Sequence, residues 1–405
     1  MTDLAITQPL TLPCGAQLPN RIAKAAMSEQ LAARDGGPTD KLRRLYGVWG
    51  HSGAGLLLSG NMMIDRRALT EPGNVILDDD RHLDDVRAWT GAATACGAHF
   101  WAQINHPGKV AVAPFDKRPV APSALRSTVP GYNLRQPRAL SGTEIQEVIE
   151  RFRRTARLAI DGGFTGVQVH AAHGYLLSQF LSPQANKRDD EWGGDAQRRR
   201  RLLLEVVDAV RAEVGRAIPV GVKLNSTDFV RGGFSSDEAA DVAVALGEVG
   251  VDLLEISGGG YEQPAMTGVA RAVKRREGYF HEFAAQVRAA SDVPLMLTGG
   301  MRSPDYMNEV IEDGTVDVIG VGRPLAFAPD FPRRVLAGES VRLPASPRRL
   351  GFSPLDGYNE LAWHNVQLHR IAAGKTPQAR PGIHTLARAV GRITVAGARQ
   401  VTVPS

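Results

Sequence analysis

Two histidines and a tyrosine lie close together in the segment HAAHGYLLSQFLSPQANKRDDEWGG, which spans residues 170–194. The imidazoles of His170 and His173 can both donate hydrogen bonds to one carbonyl or nitro oxygen and so polarise an activated alkene. Tyr175 can then supply a proton as a neutral phenol. The spacing also suits a metal ion, although no third ligand lies nearby in the sequence, and histidines satisfied within a loop network are the other alternative. The segment therefore favours a site that binds and protonates a carbonyl-type substrate.

Glycine-rich turns follow two strand-like runs late in the chain, TGGMR at residues 298–302 and GVGRP at residues 320–324. Backbone N–H groups in such turns, together with helix N-termini, bind phosphate in α/β proteins. The predicted phosphate-binding residues are Gly299, Gly300, Arg302, Gly322 and Arg323. The glycines could instead serve tight turns alone. Because both turns also carry an arginine, the pattern indicates a phosphorylated ligand.

Two polar residues inside strand-like runs indicate the kind of ligand. The side-chain amide of Gln103 can donate and accept at once, which suits the pyrimidine edge of a flavin. Lys223 can place a cation where a reduced flavin carries negative charge. Gln103 could instead close the polar interior of the protein, and Lys223 could form a Schiff base with a carbonyl substrate.

The chain has eight short apolar runs that alternate with longer helical patterns, and these elements must position the polar residues. The runs begin at Arg21, Leu56, His99, Gly166, Val220, Leu253, Leu295 and Asp317. Strands separated by helices of this length pair in parallel, and eight such units close an α/β fold of the (β/α)8 TIM barrel type. Chemistry in these barrels lies at the carboxyl ends of the strands, where the candidate residues are found.

The predicted barrel domain spans residues 1–338, and a short N-terminal cap precedes Asn20. A proline-rich stretch and one helical pattern, NELAWHNVQLHRIAAG, then form a C-terminal extension over residues 339–405. Leu361, Asn365 and Leu368 lie near one face of that helix. We therefore expect the extension to pack on the barrel or on a neighbouring subunit's mouth, which makes a homo-oligomer a further expectation.

The composition is that of an ordinary globular protein, with 43% hydrophobic and 22% charged residues in 405. The formal net charge is +5, but the arginine run at residues 198–201 has apolar positions on its other face and predicts a solvated helix rather than nucleic-acid binding. Cys14 and Cys96 are far apart, which argues against a disulfide framework, a zinc site or an iron–sulfur cluster. Without a signal peptide or an apolar run near the ~18 residues of a membrane span, a cytoplasmic location is expected.

The segment at residues 170–194 closely resembles the signature of the Old Yellow Enzyme family of NAD(P)H:flavin oxidoreductases, in its His-x-x-His branch. Further matches are LPNRIAKAAM, AQINHPGK, TGGMRSP and DVIGVGRPL. Together they cover roughly residues 10 to 338 in barrel order. The longer relatives of this family, dienoyl-CoA reductases, carry a cysteine-ligated cluster and a second nucleotide domain, for which two cysteines and a short tail do not suffice.

This resemblance implies a barrel that holds non-covalent FMN at its mouth. NAD(P)H reduces the flavin, and hydride then passes to the β-carbon of an α,β-unsaturated carbonyl or nitro compound, the small-molecule partner that we expect. By the same resemblance, His170 and His173 hold the substrate oxygen and Tyr175 protonates the α-carbon.

The resemblance also implies a set of flavin contacts. Gln103 binds the flavin pyrimidine, and Gly60 and the backbone around Ala26 and Met27 line the ring. The phosphate is assigned to Gly300, Gly322 and Arg323.

The sequence departs from the family pattern at four places near the expected flavin. Ala26 stands where proline is frequent, and Ser28 where cysteine or threonine is usual; Ser28 can still hydrogen-bond near the flavin carbonyl. Gln30 lies near the position of a tyrosine found in one branch, and Lys223 replaces a frequent arginine, which keeps the charge without the planar fork.

Two other functions remain open at the level of sequence. One is a flavin-binding barrel that acts on a different oxidised substrate. The other is a phosphate-binding barrel lyase without redox chemistry that uses Lys223.

Overall fold

Eight parallel strands form a closed barrel in the computed structural model, which describes residues 4–111, 116, 118–127, 134–259, 277–343 and 353–378. Each strand pairs in parallel with the next, and β8 pairs with β1. The strands are β1 (Ile22–Lys24), β2 (Leu56–Leu58), β3 (His99–Asn105), β4 (Gly166–Ala171), β5 (Val220–Asn225), β6 (Leu253–Ser257), β7 (Leu295–Thr298) and β8 (Val318–Val321). Each of the eight predicted runs overlaps one of these strands, and the predicted TIM barrel is confirmed.

The helices of the described chain surround the barrel. They are α1 (Asp40–Gly50), α2 (Leu83–Thr94), α3 (Gly142–Asp161), α4 (Leu176–Leu181), α5 (Ala196–Val214), α6 (Ser236–Glu248), α7 (His281–Ala290), α8 (Pro304–Glu312), α9 (Phe331–Leu336) and α10 (Ser353–Ala372). Ser141 and Ser235 begin α3 and α6 with reciprocal capping boxes, and the Asp195 side chain caps α5. These caps satisfy backbone N–H groups that a helix start leaves without partners.

Shorter elements complete the frame. The described residues contain six two-residue strands. Leu10–Thr11 and Gln17–Leu18 form a hairpin, Met62–Met63 and Val75–Ile76 extend the sheet beside β3, and Val120–Ala121 pairs with Arg138–Ala139. Three 3-10 turns also lie in the described ranges, at Ala5–Thr7, Gly108–Val110 and Arg323–Ala326.

Side chains of β3 show how the barrel divides its core. Phe100, Ala102 and Ile104 pack between the barrel and its helices, whereas Trp101 packs inside the barrel. Leu12 and Leu18 of the N-terminal hairpin join that inner cluster and close one end of it. Because strand side chains alternate between two faces, Gln103 and Asn105 lie on the inner face with Trp101, progressively nearer the carboxyl end.

The described part of the C-terminal extension packs on its own barrel. Arg44 of α1 donates a hydrogen bond to the Ala372 carbonyl oxygen at 2.8 Å, and Trp363, Leu368 and Ile371 of α10 are buried. The side chain of Leu361 and residues 379–405 lie outside the described residues, and the division into two domains stays a prediction. In the part of the chain that the structure describes, no helix is long and apolar enough to span a membrane.

Candidate active site

His170 stands at the carboxyl end of β4 with its tautomer set by the backbone. Its side chain is buried, and Nδ1 accepts a hydrogen bond from the Ala172 N–H at 3.2 Å. The ring proton therefore lies on Nε2, which becomes the donor. Burial lowers the pKa of His170 well below its usual value, and His173 and Lys223 add to the effect. His170 is thus a neutral hydrogen-bond donor.

His173 follows in a left-handed backbone conformation, with φ of +61°. Its N–H donates to Asn225 Oδ1 at 3.2 Å, and its Nε2 lies 2.8 Å from Ser257 Oγ, so β5 and β6 both hold the residue. The ring centroids of His170 and His173 are 5.1 Å apart. Burial, followed by the charge of Lys223, lowers the pKa of His173 well below its usual value. The two imidazoles are therefore adjacent and neutral.

Tyr175 lies against His170, with ring centroids 4.8 Å apart. The side chain is 4% exposed and packs with Val110 and Leu134. Asn61 Nδ2 donates a hydrogen bond to the Tyr175 hydroxyl oxygen at 3.1 Å. Because the hydroxyl accepts from Asn61, its own proton can point to another acceptor. The structure thus brings together the three residues predicted from the His-x-x-His segment, and the described residues hold no group of three potential metal ligands.

A chain of polar side chains crosses the barrel interior below the histidines. Gln103 Nε2 donates to Gln168 Oε1 at 2.7 Å, and Gln168 Nε2 donates to Glu255 Oε2 at 2.8 Å. Lys223 Nζ then donates to Glu255 Oε1 at 2.7 Å, and all four side chains are buried. The chain joins the two predicted flavin contacts through Gln168 and Glu255, which the sequence analysis missed. The clue to these two residues is the strand register of the folded barrel, in which Gln168 lies beside Gln103 and Glu255 lies beside Lys223.

The segment after β1 presents Ala26, Met27 and Ser28, each partly exposed. Ser28 Oγ and Gln30 Nε2 both donate to the carboxylate of Glu71, one to each oxygen. Burial raises the pKa of Glu71 to about 7, and the charge of Glu29 adds to this rise. A carboxyl group that titrates near neutral pH therefore lies beside the predicted flavin contact Ser28.

A second polar cluster lies directly behind this segment. The Gly60 N–H donates to Glu29 Oε1 at 2.9 Å, and Tyr46 donates its hydroxyl proton to the same oxygen. Lys24 Nζ lies 3.9 Å from Glu29 Oε1 and donates to the Leu58 carbonyl oxygen at 2.7 Å. Burial lowers the pKa of Lys24 to about 8 and raises that of Glu29. A side chain at position 60 would collide with Glu29, so glycine is required there for packing as well as for any flavin contact.

The two glycine-rich turns lie side by side because β7 pairs with β8. Gly299 and Gly300 have φ of +129° and +80°, which side chains rarely adopt, and a Cβ on Gly300 would lie 2.6 Å from the Tyr279 ring. The turn after β8 contains Gly322 and Arg323, where a 3-10 turn begins.

The carboxylate of Glu277 occupies the backbone N–H groups just before α8. One carboxylate oxygen of Glu277 accepts from the N–H groups of Arg302 and Ser303, both at 2.9 Å. The hydroxyl oxygen of Thr298 is buried and has no partner among the described residues. Because Glu277 already satisfies these two N–H groups, the fit to the phosphate end of FMN rests on the unsatisfied Thr298 hydroxyl and on the left-handed glycine backbone of the neighbouring turn.

The inner side chains fit the other end of FMN. Gln103 and Lys223 lie inside the barrel, and Ser28 lies four residues beyond the carboxyl end of β1. An amide, a cation and a hydroxyl are the donors that the polar edge of a flavin ring accepts. The residues present thus fit FMN at both ends.

A separate cavity of about 730 Å³ lies on the outer surface between α1 and α9, lined by residues that include Arg43, His51 and Arg333. It contains none of the predicted site residues and is open to solvent. The candidate site is therefore assigned from the strand ends and not from this cavity.

Comparison with known proteins agrees with the geometry. The model of the NADH:flavin oxidoreductase / NADH oxidase family matches residues 5–340. The NADH-dependent flavin oxidoreductase iliE of Hypocrea jecorina (strain QM6a) is 34% identical over 368 residues, which cover 84% of this chain and 91% of that protein.

Two solved structures show the same fold. The old yellow enzyme homologue from Zymomonas mobilis has 26% identity and a TM-score of 0.71, and the match covers 84% of this chain and 94% of that one. Morphinone reductase has 27% identity and a TM-score of 0.70, with 85% of this chain and 92% of that one covered.

The barrel, its flavin-type donors and these similarities define an FMN-dependent oxidoreductase that uses a nicotinamide as reductant. The chain belongs to the NADH:flavin oxidoreductase / NADH oxidase family, and the predicted membership of the Old Yellow Enzyme family is confirmed. The predictions of FMN and NAD(P)H are confirmed with it.

Proposed function

We propose that this oxidoreductase reduces the carbon–carbon double bond of α,β-unsaturated carbonyl or nitro compounds. The observation that carries the proposal is the placement of one neutral imidazole donor, His170, directly beside a phenol, Tyr175, whose oxygen accepts a hydrogen bond from Asn61. Bound FMN supplies the hydride, which it has received from NAD(P)H. The protein side chains then have to bind the substrate oxygen and deliver one proton.

The two imidazoles bind the substrate oxygen. Nε2 of His170 carries a proton, and if Nε2 of His173 accepts from the Ser257 hydroxyl, the proton of His173 lies on Nδ1. Donors aimed at this oxygen draw electron density from the alkene and stabilise the negative charge that develops when hydride reaches the β-carbon. Because burial depresses the pKa values of both histidines, both imidazoles are already neutral near pH 7.

Tyr175 completes the reaction by giving its phenolic proton to the α-carbon. Hydride at the β-carbon and a proton at the α-carbon balance the reduction of one double bond. The buried position of Tyr175 limits competition from water, and the hydrogen bond from Asn61 Nδ2 to the hydroxyl oxygen holds the phenol in place beside His170. The assignments of Ala26, Met27, Gly60, Gln103 and the phosphate-binding residues as flavin contacts belong to the same proposal.

The lyase alternative has less support. Lys223 Nζ is buried and already engaged by the Glu255 carboxylate at 2.7 Å, so it is not positioned as a free amine that would attack a carbonyl carbon. A flavin enzyme that acts on another oxidised substrate remains the second candidate, because hydrogen-bond donors at the mouth of the barrel can also bind substrates other than activated alkenes.

An anaerobic stopped-flow titration tests the proposal. We expect NADH or NADPH to bleach the flavin absorbance near neutral pH, and cyclohexenone to restore it. Bleaching without recovery on addition of enones or nitroalkenes would contradict alkene reduction and favour the second candidate. A purified protein without flavin absorbance that forms a borohydride-trapped adduct at Lys223 would support the lyase.

The expected cellular setting is part of the proposal. Cys14 and Cys96 are both free thiols, which is consistent with a reducing compartment such as the cytoplasm. A homo-oligomer also remains a proposal, and size-exclusion chromatography with light scattering tests it.

A further inference from the structure

Asn105 is a buried amide whose hydrogen-bonding groups are unsatisfied. Its side chain is 0% exposed, and neither Nδ2 nor Oδ1 has a partner within the described ranges. It is the last residue of β3 and lies on the inner face two residues beyond Gln103. Buried amides without partners are rare in folded proteins. Asn105 therefore points to a ligand at the mouth of the barrel.

Asn61 presents a second unsatisfied group in the same place. Met62 pairs with Ile104, so Asn61 lies beside β3 at the level of Gln103. Its Nδ2 donates to the Tyr175 hydroxyl, while its Oδ1 is buried and has no partner in the part of the chain that the structure describes. One amide thus contacts the proposed proton donor and still has an acceptor to fill.

We propose that Asn61 and Asn105 form a subsite that reads a neutral hydrogen-bonding substituent, a hydroxyl or a carboxamide, on the substrate. This inference rests on the proposed alkene reduction. The substituent is attached at the α-carbon, because Asn61 touches the hydroxyl that protonates that carbon. A hydroxyl group can donate a hydrogen bond to an amide oxygen of Asn61 or Asn105 and accept one from the NH2 group of Asn105.

Two neutral amides disfavour an ionic substituent. A carboxylate would face the two amide oxygens, and the buried lysines of the barrel strands, Lys24 and Lys223, are already close to Glu29 and Glu255. An ammonium group would lack a counter-charge, because both members of the subsite are neutral amides. The subsite therefore selects for a polar but uncharged group.

Two alkenes of similar size test the inference on the FMN-loaded enzyme. They are 2-(hydroxymethyl)cyclohex-2-enone and 2-ethylcyclohex-2-enone, which differ by a hydroxyl in place of a methyl group. We expect the wild type to favour the hydroxymethyl compound by about tenfold or more in kcat/KM, since a site built to bind a hydroxyl rejects the analogue that lacks it. Asn105→Leu removes both amide groups at similar volume and should reduce the ratio by about the same factor.

His99→Leu is the matched control. His99 begins the same strand, its buried Nδ1 also has no partner among the described residues, and it lies about 20 Å from Asn105 along β3. This variant should keep the wild-type ratio. A loss of preference in both variants would show a general effect of disturbing β3 and would overturn the subsite.

A binding measurement keeps the inference independent of turnover and of the folding of either variant. Calorimetry on the wild type should show tighter binding of 2-(hydroxymethyl)cyclohexanone than of 2-ethylcyclohexanone, neither of which can be reduced at a carbon–carbon double bond. Equal affinities, or a wild-type kcat/KM ratio near one, would overturn the subsite while leaving alkene reduction intact. Tighter binding of the hydroxymethyl ketone without reduction of either enone would instead contradict the proposed function and support the subsite.

Discussion

The carboxyl ends of β4 and β1 hold two groups of buried polar side chains that are assembled in opposite ways. At β4, His170, His173 and Tyr175 come from six consecutive residues. Behind β1, the cluster around Glu29 draws Lys24 from the strand and Tyr46 from α1. The first group can therefore be recognised in the sequence as a local motif, whereas the members of the second group become neighbours only after the chain has folded.

The two regions also differ in electrostatics. Burial depresses the pKa values of the two histidines, so the β4 group is neutral and donates hydrogen bonds. Behind β1, a lysine and a carboxyl group are buried together, and burial moves both pKa values toward neutrality. This difference supports the proposed assignment of the substrate chemistry to the β4 group, and we propose that the β1 group holds the neighbouring backbone in place.

Tyr175→Phe tests the β4 group and should have the largest effect. The variant loses one hydroxyl and little volume. Reduction of the flavin by NAD(P)H needs no acid from Tyr175, but reduction of an enone needs a proton on the α-carbon. We expect enone reduction to slow by about 10²–10⁴-fold, the usual contribution of a positioned general acid. Stopped-flow measurement of the two half-reactions separates them.

Nitroalkenes sharpen this prediction. Hydride addition to a nitroalkene gives a stabilised nitronate, which water can protonate after release, so the variant should reduce nitroalkenes with a smaller loss of rate. Equal slowing of both half-reactions, or unchanged enone reduction, would show that Tyr175 is not the proton donor.

Lys24→Met tests the β1 group and should act on stability. The substitution leaves Glu29 and the Tyr46 hydroxyl buried without their cation. Removing one member of a buried ionic cluster costs about 3 kcal/mol or more of unfolding free energy, which urea denaturation can measure. Arg43→Met is the control, because its ion pair with Asp40 is exposed and should contribute less than about 1 kcal/mol. Similar losses in the two variants would contradict a structural role for the cluster.

The strand–helix rhythm was enough to predict the fold, and the reason is physical. Each barrel strand is buried on both faces, so each is a short apolar run bounded by turn residues. Inward polar residues were harder to interpret. Gln103 and Lys223 were recognised, but their partners Gln168 and Glu255 come from other strands and become neighbours only in the strand register.

Glu71 illustrates the limit of sequence reasoning more clearly. It lies 43 residues after Ser28, in a segment without a recognisable motif, yet it accepts hydrogen bonds from Ser28 and Gln30. The side chain of Gln30 reaches it from a backbone with φ of +56°, which residue type alone does not predict. Local motifs thus predicted the substrate side that we propose for the site, while the surroundings of the predicted flavin contacts required the fold.

Glu71→Gln gives a pH-dependent test of these surroundings. The pKa of Glu71 is about 7 in the folded protein, against 4.5 for an ordinary glutamate, so the folded state resists an ionisation that the unfolded chain undergoes freely. Wild-type stability should therefore fall as the pH rises from about 4.5 to about 7, and Glu71→Gln should lack this contribution. We therefore expect the unfolding free energy of the variant minus that of the wild type to be about 1–3 kcal/mol larger at pH 8 than at pH 5.

Glu144→Gln is the control for this pH series. The bond from Arg138 lowers the pKa of Glu144 to about 2, so this carboxyl is ionised in the folded state at both pH values. Its effect on stability should change little between pH 5 and pH 8. If urea denaturation shows the same pH dependence for Glu71→Gln and Glu144→Gln, Glu71 does not titrate in this range.

The smallest expected effect concerns the contact between α10 and the β1 region. His369 Nε2 lies 3.1 Å from the Glu29 carbonyl oxygen, so the C-terminal helix reaches the segment that carries Ser28 and Glu29. His369→Ala should lower the unfolding free energy by about 1 kcal/mol, the net worth of one hydrogen bond. Arg370→Ala, which removes exposed bonds to the Thr376 carbonyl oxygen within the same terminal stretch, should cost less than about 0.5 kcal/mol. Because both variants place alanine on the same helix, helix propensity largely cancels, and equal losses would show that α10 does not stabilise the β1 region through His369.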